Sequence, residues 1–120
     1  MSEGGGTKQN GSRVPEISPT ELRERLERER PLVLLDVREP FEREIADLPG
    51  DGHLRIPMAE LLSRMDELDA DANLVVYCRS GARSNWAVQQ LRAHGFEKAM
   101  NLAGGVMKWR EDVDPSLTEY

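Results

Sequence analysis

Apolar residues fall in short runs between polar stretches. Leu32-Val33-Leu34-Leu35 and Leu74-Val75-Val76-Tyr77 are apolar at consecutive positions, the pattern of strands covered on both faces of a parallel sheet. Val14-Pro15-Glu16-Ile17 predicts an edge strand that tolerates Pro15, His53 to Pro57 a short strand, and Lys98 to Leu102 a weaker one. Between them the period changes to that of helices. Ser18-Pro19-Thr20-Glu21 reads as N-cap, first helical proline and capping glutamate, opening a helix that buries Leu22 and Leu26 while the charged residues from Arg23 to Arg30 stay solvated.

Phe41 to Ile45 predicts a short helix, followed by a turn over Leu48 to Gly52. Met58 to Leu68 carries Leu61, Leu62, Met65 and Leu68 as a core stripe. Asn85 to His94 buries Ala87, Val88 and Leu91, with Gly95 as the left-handed cap. Ala103-Gly104-Gly105 makes a sharp turn into a last helix ending near Asp112, with Trp109 in the core or a pocket wall. Strands alternating with helices predict an α/β fold: a mostly parallel central sheet of about five strands, helices on both faces. Residues 14–120 form the domain; residues 1–13, rich in glycine and polar side chains, read as a disordered tail or linker.

Charge narrows the partners. Sixteen basic against 22 acidic residues give a net charge of −6 with no basic block, which argues against nucleic acid or an anionic membrane. No segment resembles a signal peptide or a transmembrane helix, and one cysteine excludes an internal disulfide, so a reducing cytoplasm is the expected compartment. One cysteine and two distant histidines make no convincing metal set, no nucleotide-binding glycine motif is present, and no cofactor is expected.

Candidate chemistry concentrates at the end of the second apolar strand. Cys78 follows Tyr77 directly and begins Cys78-Arg79-Ser80-Gly81-Ala82-Arg83-Ser84. A tight loop leading into a helix points backbone N–H groups inward, so it stabilises an anion, a thiolate included. Arg79 and Arg83 add positive charge, and Gly81 lets the backbone curl around the sulfur. A lone cysteine after an apolar strand can also be a small buried hydrophobe. Two guanidinium groups within five residues of it weigh against that. Asp36 and Arg38 stand at the end of the other strong strand and read as loop braces, since a carboxylate against the thiolate would oppose its ionisation. His53 is a weaker candidate for general base.

These residues resemble the rhodanese (sulfurtransferase) family over nearly all of Ile17 to Tyr120. The resemblance rests on Leu35-Asp36-Val37-Arg38-Glu39-Pro40, the loop from Cys78 to Arg83, and Leu102-Ala103-Gly104-Gly105-Val106 followed by Trp109. Glu111-Asp112-Val113-Asp114-Pro115-Ser116-Leu117 and Tyr120 resemble, more narrowly, the end of the rhodanese domain fused behind adenylyltransferases that load sulfur carrier proteins. The chain is expected to be a free-standing relative or an excised domain. One departure is visible: family members often carry Gly-His-Ile-Pro-Gly-Ala where this chain has Ala46 to Asp51, with Asp47 in the histidine's place.

The resemblance implies that Cys78 takes sulfane sulfur from thiosulfate or another persulfide donor. It passes that sulfur to a thiol, cyanide or a sulfur carrier, and a sulfur carrier protein or an adenylyltransferase is the implied protein partner. Arg79 through Ser84 would bind the small anionic donor. The main rival is a cysteine phosphatase or arsenate reductase, but phosphatases of the related cell-cycle type hold one residue more between cysteine and arginine than the four between Cys78 and Arg83. A non-catalytic docking module is the third reading, disfavoured because the cysteine is present.

Overall fold

The computed structural model describes residues 13–28 and 31–120. The expected tail over residues 1–13 thus lies outside the described residues except for Arg13. Among the described residues five strands, β1 (Glu16–Ile17), β2 (Leu32–Asp36), β3 (Leu54–Arg55), β4 (Asn73–Tyr77) and β5 (Met100–Leu102), form one sheet in the order β1-β5-β4-β2-β3. Every pairing is parallel, with Asp36 beside Tyr77 and Val76 beside Asn101. All five carboxyl ends therefore share one edge, where an open α/β sheet builds its sites.

Helices α1 (Pro19–Glu27), α2 (Leu61–Arg64), α3 (Ala82–Ala93) and α4 (Gly105–Asp112) cover the sheet. Alternation along β4 sends Leu74, Val76 and Cys78 into a core with Leu61, Val88 and Leu91, while Val75 and Tyr77 pack with Leu22, Val106 and Trp109 on the other face. Strands buried on both sides have no polar face to show, hence the consecutive apolar runs. Ser18 caps α1 as its type predicts, its Oγ accepting the Glu21 N–H at 3.1 Å. No helix among the described residues is long and apolar enough to cross a membrane.

Several expectations need correction. The helix expected from Met58 to Leu68 is three pieces: a 3₁₀ turn at Met58–Glu60, α2, and a second 3₁₀ turn at Met65–Glu67. Leu61, Met65 and Leu68 still reach the core, but Leu62 is 55% exposed. The tighter winding brings residues three apart into line, so Met65 and Leu68 face inward without a continuous α-helix. The segment near Phe41 is a 3₁₀ turn over Pro40–Glu44 that leaves Phe41 64% exposed and buries Glu42 instead. Finally, α3 starts at Ala82, inside the cysteine loop, rather than at Asn85.

Candidate functional site

That early start decides the geometry around Cys78. Gly81 precedes α3 with φ 105°, a left-handed conformation that favours glycine, and a Cβ there would lie 3.3 Å from the Gly104 nitrogen. The turn brings the Gly81 N–H to 3.1 Å from Cys78 Sγ and the Ser84 N–H to 3.4 Å, with Ser84 Oγ at 3.3 Å. Ser84 is the third residue of α3, so its N–H has no partner inside the helix. The sulfur takes the place of a capping side chain, at the positive end of the helix dipole.

The loop's carbonyls are turned the other way. Cys78 and Arg79 present theirs to the first turn of α4, accepting from Val106 N–H at 2.9 Å and Met107 N–H at 3.0 Å. Gly105 makes this possible, with φ 64°, because a Cβ on it would stand 2.4 Å from the Cys78 oxygen. Two helix starts are satisfied by one loop. Donors face the sulfur, and acceptors face α4.

Cys78 itself is only 1% exposed, whereas Arg79, Ser80 and Ala82 are at the surface and Gly81 and Ser84 are buried. Arg83 donates to both oxygens of Glu42, at 2.7 and 2.9 Å. Glu42 is buried and also accepts the Glu39 N–H at 3.0 Å and the Tyr120 hydroxyl at 3.0 Å. Arg79 donates through Nε to the Tyr120 carbonyl oxygen, and its guanidinium lies 5.3 Å from the centre of the Tyr120 ring. Tyr120 thus touches both the Arg79 side and the Glu42 side of the loop.

The Arg83 bond is the first cause that holds the Glu42 carboxyl well below the ordinary range, at about 2, against the opposing pull of burial. A depressed folded-state value contributes stability that is fully present above the ordinary value of 4.5 and is lost as pH falls toward 2. Because Arg83 is about a third exposed, we set this contribution at about 2 kcal/mol. The melting temperature of the wild type should therefore fall between pH 4.5 and 2 more steeply than that of Glu42→Gln. Parallel slopes in a pH series of thermal melts would remove Glu42 from the acid limb.

Asp36 and Arg38 lie beside this group, joined to each other. Arg38, its side chain fully buried, donates from Nε to Asp36 Oδ1 at 2.9 Å and from its terminal nitrogens to Asp36 Oδ2 at 3.1 Å, Asp47 at 3.0 Å, the Ala46 carbonyl at 2.9 Å and the Tyr120 hydroxyl at 2.8 Å. Arg55 joins from β3, 2.7 Å from both Asp36 and Asp47. Two carboxylates and two guanidinium groups compensate one another, as buried charge requires. Burial opposes ionisation of Asp47, but hydrogen bonds from Arg55 and Tyr77 hold its carboxyl below the usual range. Asp47 receives the hydroxyl of Tyr77, the last residue of β4, at 2.8 Å, which helps hold the strand that leads into Cys78.

The candidate base does not reach the sulfur. His53 has Nδ1 2.9 Å from the Tyr77 hydroxyl and Nε2 3.0 Å from the Pro49 carbonyl, and no hydrogen bond among the described residues joins it to Cys78. A cleft of about 260 Å³ opens beside the Asp36 network, lined by Arg43, Arg55 and Arg64 among others, and Cys78 does not line it. Among the described residues no group of three histidine, cysteine or carboxylate side chains is placed to hold a metal.

Sequence reasoning missed Glu42, Asn101 and the roles of Tyr120 at this site. Asn101 carried the one readable signal, a polar residue within a short apolar strand, where a buried side chain must find partners. Its amide bridges Ser84 and Gly81.

Known proteins extend these observations. The profile of the rhodanese-like domain family matches residues 18–112. A sulfurtransferase of Allochromatium vinosum is 38% identical over 96 residues, which cover 80% of this chain and 88% of that protein. The adenylyltransferase and sulfurtransferase MOCS3 of Arabidopsis thaliana is 34% identical over 120 residues, but the matched part is 87% of this chain and 25% of MOCS3. Among the first curated relatives the chain spans about half of one protein's length, 54%, and about a quarter of another's, 26%. The solved human single-domain sulfurtransferase TSTD1 superposes with a TM-score of 0.71 at 30% identity, covering 83% of this chain and 98% of that one.

Proposed function

The chain belongs to the rhodanese-like domain family, and from that premise we propose that it is a sulfurtransferase that carries sulfane sulfur as a persulfide on Cys78. One observation carries this reading: the Cys78 sulfur sits at the closed end of a loop that offers it three donors, the N–H groups of Gly81 and Ser84 and the Ser84 hydroxyl. Three donors converging on one sulfur suit the negative charge that sulfur exchange places there.

In the first half of the reaction the Cys78 thiolate attacks the outer sulfur of thiosulfate. The sulfur–sulfur bond of the donor breaks, sulfite leaves with its electron pair, and Cys78 holds a persulfide anion. In the second half a nucleophile such as cyanide or a thiolate attacks that outer sulfur, and the electrons of the bond to Cys78 return to it as thiolate. Arg79 and Arg83 flank the approach. Since Glu42 already holds Arg83 bidentately, Arg79 is the freer of the two for a sulfonate group. Sulfur carrier proteins or an adenylyltransferase are the physiological exchange partners in this reading, in keeping with relatives named as a putative sulfur carrier protein and as an adenylyltransferase and sulfurtransferase. The short four-residue span from Cys78 to Arg83 suits a single sulfur better than a tetrahedral phosphate.

Incubation with thiosulfate should add the mass of one sulfur atom to the intact protein, removable by cyanide with release of thiocyanate. An unmodified mass, together with hydrolysis of an aryl phosphate, would assign the chain to phosphate chemistry instead.

A further inference from the structure

Asn101 is 1% exposed and sits in β5 beside Val76 of the cysteine strand. Its Nδ2 donates to the Gly81 carbonyl at 3.2 Å, and its Oδ1 accepts the Ser84 hydroxyl at 2.6 Å. These partners fix the amide's orientation, because a carbonyl can only accept and the Ser84 proton needs the carbonyl end. The residue therefore braces both backbone donors of the sulfur pocket, Gly81 and Ser84.

The Ser84 hydroxyl has one hydrogen and two acceptors within reach, Asn101 Oδ1 at 2.6 Å and Cys78 Sγ at 3.3 Å. It cannot serve both fully at once. When Cys78 carries an outer sulfur, its inner sulfur is uncharged and a weak acceptor, and the hydroxyl turns to Asn101. As the sulfur–sulfur bond breaks and charge returns to Sγ, the same hydrogen turns to the thiolate, where a charge-assisted bond is stronger.

We propose that Asn101 is a positioning residue for sulfur exchange, holding the Ser84 hydroxyl ready and handing it to the Cys78 sulfur as that sulfur becomes the leaving thiolate. No proton is transferred. Asn101 never touches the reacting atoms; it acts through the Ser84 hydroxyl, and its bond to the Gly81 carbonyl holds the amide itself in place. This rests on the sulfurtransferase reading for its place in the reaction, but the coupling of Asn101 to the sulfur can be read without any sulfur donor.

Two rates test it in the full chain: alkylation of Cys78 by iodoacetamide in mildly acidic buffer, where thiolate content limits the reaction, and discharge of preloaded persulfide to cyanide. Ser84→Ala should slow both by about tenfold, the worth of a hydrogen bond to a charged group; Asn101→Leu, which leaves the Ser84 hydroxyl unheld among its three staggered orientations, should slow both by about threefold. Ser84→Thr, which keeps the hydroxyl, should restore them. The double variant Asn101→Leu/Ser84→Ala should be no slower than Ser84→Ala alone. Multiplying effects in the double variant, or an Asn101→Leu chain that reacts like wild type, would overturn the proposal. Should Asn101→Leu not fold, an unaltered alkylation rate in Ser84→Ala overturns it equally. Failure of the protein to load sulfur would count against the sulfurtransferase reading, while the alkylation series still decides the role of Asn101.

Discussion

A Cys78→Ser chain should fold and bind its surroundings much as the wild type does, yet carry no transferable sulfur. The serine oxygen can accept the same N–H groups from Gly81 and Ser84, so its melting temperature should stay within the few degrees that ~1 kcal/mol represents. What it lacks is a nucleophile able to form a persulfide. Since the chain holds one cysteine, no second thiol can substitute, and the loss of both mass gain and thiocyanate production should be complete. Residual transfer by the purified variant would place the nucleophile elsewhere and dissolve the site as drawn.

The second large effect belongs to a residue that never meets substrate. Gly105→Ala should lower stability by about 3 kcal/mol, the sum of left-handed backbone strain and overpacking against backbone. The new Cβ would lie 2.4 Å from the Cys78 oxygen and 2.5 Å from the Arg79 oxygen, atoms that cannot swing aside as a flexible side chain could. In a domain of this size that is a fall of about 12 °C in melting temperature. Sulfur loading should drop as well, because the same overlap pushes α4 away from the carbonyls that orient the loop. Gly52→Ala is the control: φ is 79° but nothing lies within 4 Å, so backbone strain alone, about 1 kcal/mol, is expected. Equal losses in the two variants would show that the close approach of α4 to the cysteine loop is not what Gly105 secures.

The two predictions divide the site by function. In the proposed reaction Cys78 does the chemistry, whereas Gly105 lets two helix N-termini meet one loop. Glu42 and Asn101 lie between these extremes: the one neutralises Arg83, the other holds the donors of the sulfur in place. A pocket built from backbone N–H groups depends on its supports more than on its lining side chains, since the backbone donors go where the loop is held.

Much of this was legible along the chain. Runs such as Leu32 to Leu35 and Leu74 to Tyr77 can be buried only in a sheet covered on both faces, and Cys78 at the end of one of them, followed by Gly81 and two arginines, announces a loop that holds an anion. Those features are local, because apolar alternation, turn glycines and helix starts act within a few residues. The partners of the charged and polar groups are another matter. Arg83 meets Glu42 across 41 residues, Arg38 meets the Tyr120 hydroxyl across 82, and Ser84 meets Asn101 across 17. Nothing in the spacing names these pairs, since each arises only when parallel strands bring their carboxyl ends to one edge and the connecting segments fold over it. The break of the Met58 to Leu68 segment has the same origin: its apolar spacing fits one helix, but docking onto the core is met with tighter turns at both ends and Leu62 turned outward. The sequence by itself determined the strands, the loop and the candidate nucleophile. Only the tertiary structure decided which carboxylate holds Arg83 and which amide stands behind the sulfur, because burial obliges every such group to find a partner and topology alone determines which partner is near.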